Sequence, residues 1–146
     1  MASAGHTIHI RRSVEDVFAV LTNVELTGRW YPAQVEEWWT SAPPHGVGST
    51  RRARVRVLGR TMENDAVVTV NEPPRLAAMK GTSRNAPFEV TLAFKPDGDG
   101  TRVEVESVFH LSGMLRLFMP IFVRGYERGW ARGLGNLKRM MESGEL

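Results

Sequence analysis

Hydrophobic residues recur along this chain with two different periods, and the point where the period changes divides it. Near the C-terminus Phe118, Phe122, Tyr126, Trp130, Leu134 or Leu137, and Met141 return at steps of three and four. That spacing lays them along one side of a helix running from Met114 to Glu142. Arg124, Glu127, Arg128, Arg132, Lys138, Arg139 and Glu142 take the other side, so the helix has a soluble outer face. Gly125, Gly129 and Gly133 interrupt it at intervals of four, each unfavourable by about 1 kcal/mol relative to Ala. Missing side chains beside large rings suit a helix that roofs a hollow, which is the expectation carried forward.

Before that helix the dominant period is two. His6 to Ile10 alternates, with Ile8 and Ile10 on one face. Ser13 reads as a helix N-cap with Asp16 three residues on, and Val14, Val17, Phe18 and Leu21 form one side of a short helix. A further helical turn or two is expected from Asn23 to Trp30, stopped near Gly28 and Pro32. Strands are then expected over Gln34 to Trp39, Arg52 to Val57, Met62 to Val70, Leu76 to Lys80, Phe88 to Lys95 and Arg102 to Phe109. Pro96, Asp97, Gly98, Asp99 and Gly100 supply hairpin chemistry between the last two. The pattern predicts an α+β fold, an antiparallel sheet wrapped around one long C-terminal helix.

Length bounds this picture: 146 residues make one domain, 1–146, with a real core but not two. No run of eighteen apolar residues is present, the first residues lack the features of a secretory signal, and there are no cysteines. A cytoplasmic location is the default expectation. A net charge of +3 invites a nucleic-acid reading, but the excess is small and ligand binding ranks above it. The four histidines form no i, i+4 pair and no phosphate-binding loop occurs. Asp97 to Gly100 mimics the start of a calcium loop, yet the twelfth position is Val108. No metal or cofactor is therefore expected.

Five stretches taken together carry a family resemblance: the opening Ile8 to Phe18, the Arg29, Trp30, Tyr31, Pro32 step, Val57, Leu58, Gly59, the Glu72 to Leu76 passage, and Asn136 to Arg139. In this order they resemble the START-like superfamily, the helix-grip fold typified by the birch-pollen allergen, and in particular its polyketide cyclase/dehydrase branch. The resemblance implies a seven-stranded antiparallel sheet gripping the C-terminal helix, with two short helices after the first strand. It also implies a cavity for a lipid, polyketide or similar apolar molecule. Cyclases, lipid carriers, sensors and a co-chaperone all share this fold, so the resemblance does not fix a reaction.

The inward faces of these elements give the expected lining: Trp39, Ala53, Val55, Asn64, Phe88, Val90, Leu92, Val105, Ser107, Phe109, Phe118, Phe122, Tyr126 and Trp130. For any one of them core packing is the commoner role, and it is the set that points to a pocket. Trp38 and Trp39 must point to opposite faces, with Trp39 the inward one and Trp30 beneath the short helices. Catalysis would need a base near a carbonyl. Glu37, Arg51 and Tyr126 are the weak candidates, the first two being more often a rim ion pair. His9 and His110 alternate outward, and His6 belongs to a ragged start. The main expectation is binding of an apolar small molecule. A cyclase-type enzyme and a co-chaperone-like or homodimeric interaction module are the alternatives.

Overall fold

The computed structural model of the protein describes residues 2–32, 34–57, 59–82, 87–110 and 113–146. The side chains at 2, 34, 35, 57, 115 and 122 lie outside that description, as does the whole of Leu58. Phe122 is therefore one predicted lining residue that cannot be located. The strands are β1 (Ala2–Ile10), β2 (Gln34–Trp39), β3 (Thr50–Val57), β4 (Arg60–Glu72), β5 (Leu76–Gly81), β6 (Phe88–Asp97) and β7 (Gly100–Phe109). The helices are α1 (Val14–Leu21), α2 (Thr27–Trp30) and α3 (Met119–Glu142). Among the described residues, no helix is long and apolar enough to cross a membrane.

All seven strands form one antiparallel sheet in the order β1-β7-β6-β5-β4-β3-β2. From β2 to β7 each strand pairs with the next, as hairpin connections require. The passage through α1 and α2 carries the chain from one edge of the sheet to the other. Residues directly opposite in an antiparallel ladder share a face, so the register defines the inner surface. Ile8, Val103 and Phe94 form one inward row, and His6, Val105, Leu92 and Ala77 form the next. Further along lie Ala4, Ser107, Val90, Met79 and Val68, then Phe109, Phe88, Gly81, Ala66, Arg51 and Trp39. His6 is thus in a regular strand with its side chain inward and half-buried, contrary to the ragged start expected for it.

The outer face of β3 is ionic. Arg52 pairs with Asp65 at 2.7 Å, and Arg54 reaches Glu36 at 3.2 Å and Glu63 at 3.5 Å. Arg54 also lies over the Trp38 ring, 5.4 Å from its centroid. The alternation of Arg and apolar residues in this strand is therefore a solvated face set against an inner one.

Ser13 caps α1 by accepting the Asp16 N–H at 3.2 Å, and Val17, Phe18 and Leu21 are buried against β6 and β7. Phe18 meets Phe94 edge-on with centroids 5.0 Å apart. The long helix begins later than the apolar stripe suggests. Gly113–Phe118 is a 3-10 segment and Pro120 sits in the first turn of α3. Proline is suited to that position because the first-turn N–H groups have no intrahelical partner. Phe118 consequently stands at the N-cap, 57% exposed, with Met114, Leu117 and Ile121 also exposed.

The other end of α3 is fixed. Leu134, Leu137 and Met141 are all buried in the core with Ile10, Val17, Phe94 and Val103. Around them Lys138 donates to the His9 carbonyl at 2.6 Å, and Arg12 donates to the carbonyls of Met141 at 2.9 Å and Leu146 at 3.0 Å. Glu142 accepts from Lys138 at 2.8 Å and from the Arg11 N–H at 3.0 Å.

Those two donors, the Lys138 ammonium foremost, hold the Glu142 carboxyl down to about 2 against an ordinary 4.5. A depressed folded-state pKa stabilises the fold above the unfolded value, and that contribution is lost as pH falls through the folded value. Glu142→Gln should therefore unfold at lower temperature than the wild type at neutral pH, and the gap should close between about pH 4.5 and pH 2. Thermal unfolding of both proteins across that range checks it, and a gap independent of pH would contradict the assignment.

Candidate functional site

The space that a helix-grip arrangement could leave lies between α3 and the inner face, and an aromatic cluster occupies part of it. Under the middle of α3, Trp30, Tyr31 and Trp130 pack on one another with centroid separations of 5.8, 6.0 and 5.3 Å. Tyr126 continues the cluster toward Phe109, whose ring it meets edge-on at 4.6 Å. Its hydroxyl shares a hydrogen bond of 2.8 Å with Ser107 Oγ.

The helix glycines belong to this cluster and do not make the hollow expected of them. A Cβ at Gly129 would lie 3.0 Å from the Tyr31 hydroxyl. At Gly133 it would lie 3.1 Å from the Tyr31 ring and 3.4 Å from Trp30. These two notches are filled by the side chains that α2 delivers. Gly125 is exposed, with nothing within 4 Å of where its Cβ would be. Any room for a ligand is thus set by the sheet side and not by the missing side chains of α3.

Burial pushes the Tyr31 phenol pKa upward, and the nearby Tyr126 adds to it. Burial also raises Tyr126, with the Ser107 hydrogen bond acting in the opposite direction. Both phenols are neutral at physiological pH. Tyr126 can donate or accept a hydrogen bond there, but a base needs a pKa lowered toward neutrality, so its candidacy as a proton acceptor is weakened.

The structure separates the predicted lining into three groups. Val90, Val105, Ser107, Phe109 and Trp130 are buried, and Val90, Val105 and Trp130 belong to the contiguous core. Trp39, Val55, Asn64, Phe88, Leu92 and Tyr126 are half-buried on the inner side, while Ala53 beside them is buried. Phe118 is turned out, because the helix begins after it. Trp39 is inward and stacked on His45 of the following loop, rings 4.0 Å apart and 8° from parallel, while Trp38 is outward.

Glu37 and Arg51 come together on the inner face. Their side chains are 7% and 16% exposed, with Arg51 Nε 3.7 Å from Glu37 Oε2. The other Glu37 oxygen accepts from Thr27 Oγ1 at 3.0 Å, which ties α2 to β2. One terminal nitrogen of Arg51 rests on the Met79 sulfur. Ala66 and Met79 on the inner face, and Tyr31 and Thr27 from α2, were not among the predicted lining. Ala66, Met79 and His6 share the period-two pattern of their strands and were legible from it, whereas nothing periodic marks Tyr31 or Thr27. A small cleft with room for about one water molecule opens at the edge of the sheet between Ala4, His6, Ser107, Tyr126, Glu127 and Trp130. Among the described residues no group of three or more His, Cys, Asp or Glu side chains could hold a metal ion.

A family model described as polyketide cyclase / dehydrase and lipid transport matches residues 1–142. No curated protein matches the chain significantly. Among solved structures, a START superfamily protein from Mycobacterium smegmatis superposes with a TM-score of 0.79 at 16% identity, over 95% of this chain and 98% of the other. The di-domain ARO/CYC protein BexL of the BE-7585A biosynthetic pathway gives 0.77 at 15% identity, over 97% of this chain and 47% of BexL. The Aha1 dimer from Colwellia psychrerythraea gives 0.71 at 22% identity, over the whole of both chains. At such identities the superpositions establish the fold.

The filled notches make a direct prediction. Gly133→Leu drives a branched side chain into Trp30 and Tyr31 and should destabilise the protein by about 1–3 kcal/mol, the range for overpacking. Gly135→Ala meets nothing within 4 Å and should stabilise it by up to about 1 kcal/mol through helix propensity. Denaturant unfolding of the two variants measures both signs.

Proposed function

The chain belongs to the polyketide cyclase/dehydrase and lipid transport family, and from that premise we propose that it binds an apolar small molecule between the sheet and α3. One observation carries the reading. Among the described residues, the contiguous core draws on β1, β5, β6, β7, all three helices and the C-terminal Leu146, and on none of β2, β3 or β4. Yet those three strands present Trp39, Val55, Val68 and Met62 on their inner face, half-buried or exposed, beside the buried Ala53 and Ala66 and the polar Glu37, Arg51 and Asn64. Met62 is 55% exposed although its register neighbour is Val55. An apolar surface left out of a protein's own core is the kind of surface that ligand pockets use. Met114, Leu117, Phe118 and Ile121 are further apolar side chains left exposed, at the N-terminal end of α3.

A cyclase-type enzyme is the second reading, favoured by a carboxylate and a guanidinium set together on that inner face. In it Glu37 would take a proton from carbon next to a carbonyl. If turnover of a reactive polyketide survives Glu37→Gln and Tyr126→Phe unchanged, this reading is lost.

For binding, N-phenyl-1-naphthylamine is a suitable probe because its fluorescence rises in apolar surroundings. Val55→Phe and Ala66→Leu add volume to the inner face and should weaken its binding about tenfold, or about 1.4 kcal/mol. Arg132→Ala on the exposed side of α3 should leave it unchanged. Equal affinity in all three variants, or no binding by the wild type, would remove the proposal. Native mass spectrometry of protein from its own host should also reveal a co-purified apolar molecule.

A further inference from the structure

We infer that Arg51 is the hydrogen-bond donor for an uncharged carbonyl oxygen on the bound molecule, and that Glu37 turns carboxylates away. The inference rests on the apolar-binding reading and deepens it.

A guanidinium cannot shed its proton at any physiological pH, so burying it is unfavourable unless its five N–H groups find acceptors. Arg51 is only 16% exposed on the inner face. Its Nε is buried and finds no hydrogen-bond partner among the described residues, meeting Glu37 only at 3.7 Å. One terminal nitrogen faces the Met79 thioether, a weak acceptor. Arg52 and Arg54 on the outward side of the same strand illustrate the ordinary case. They reach carboxylates at 2.7 and 3.2 Å in contact with solvent. The inward arginine has the charge balance of an ion pair without its hydrogen bonds.

What Arg51 still demands follows from that distinction. Glu37 already neutralises it, so the site lacks acceptor atoms and not negative charge. Glu37 cannot close in freely, because its other oxygen is held by Thr27 at 3.0 Å. An anionic head group at the same place would face the Glu37 carboxylate at close range in a poorly solvated wall. A ketone or ester oxygen would meet the N–H groups without that repulsion. The register neighbour Ala66 is small, the Phe88 ring lies over Gly81, and Phe109 continues the same row as a wall for the apolar remainder.

The test compares two twelve-carbon competitors, 2-dodecanone and dodecanoate at pH 8, each displacing N-phenyl-1-naphthylamine. The wild type should take the ketone about tenfold or more tightly than the acid, a difference of about 1.4 kcal/mol. Arg51→Met should remove that preference, read as the ratio of ketone to acid affinity within the same variant. Glu37→Gln should strengthen dodecanoate about tenfold. If Arg51→Met does not fold, Arg51→Lys, which keeps the charge but lacks the Nε–H fork, should show the same direction of loss. A probe that binds with no ketone preference, or a preference unmoved by Arg51→Met or Arg51→Lys, overturns the inference alone. A wild type that binds neither probe nor ketone overturns the apolar-binding reading as well.

Discussion

The anchoring of α3 at its C-terminal end is the constraint on which the remaining organisation depends. Leu134, Leu137 and Met141 lie in the core, and around them Lys138, Glu142, Arg11 and Arg12 bind the helix end to the junction of β1 and α1. Part of this clasp joins ionised groups to backbone carbonyls and an N–H, a stronger class of contact than neutral pairs. Because the helix is held here, the core gathers over β1 and β5 to β7. The inner faces of β2 to β4 lie outside it, a consequence of where the helix is fixed.

The aromatic cluster explains how that division is maintained. Trp30 and Tyr31 come from a single short turn, α2, and dock into the positions where α3 has glycines at 129 and 133. Small residues on one side and rings on the other allow backbone and ring to approach closely, so α2 packs directly against α3. Thr27 at the start of the same turn holds Glu37, which in turn faces Arg51. One short element thereby sets both the limit of the core and the polar feature beyond it.

β3 shows how one strand serves two solvents. Arg52 and Arg54 face water and satisfy carboxylates there, where such pairs contribute little net stability. Arg51 faces the interior, where an imperfectly satisfied ion pair is unfavourable and is retained in a fold that could have used an apolar residue. That contrast is the one the recognition role proposed for Arg51 accounts for.

The sequence by itself determined the elements and their inward faces, because periods of two and 3.6 are properties of local backbone geometry. From it came the sheet, the N-cap at Ser13, the amphipathic final helix, the opposite orientations of Trp38 and Trp39 and the pairing of Glu37 with Arg51. The late start of α3 was legible in Pro120, although the stripe that includes Phe118 ran past it. Only the tertiary structure decided what fills the glycine notches, since Tyr31 and Gly129 are joined by docking of α2 and by no periodic signal. It likewise decided that the core stops at β5. Which surfaces are consumed by packing and which are left over depends on where one helix is pinned across the sheet, and that is a long-range fact.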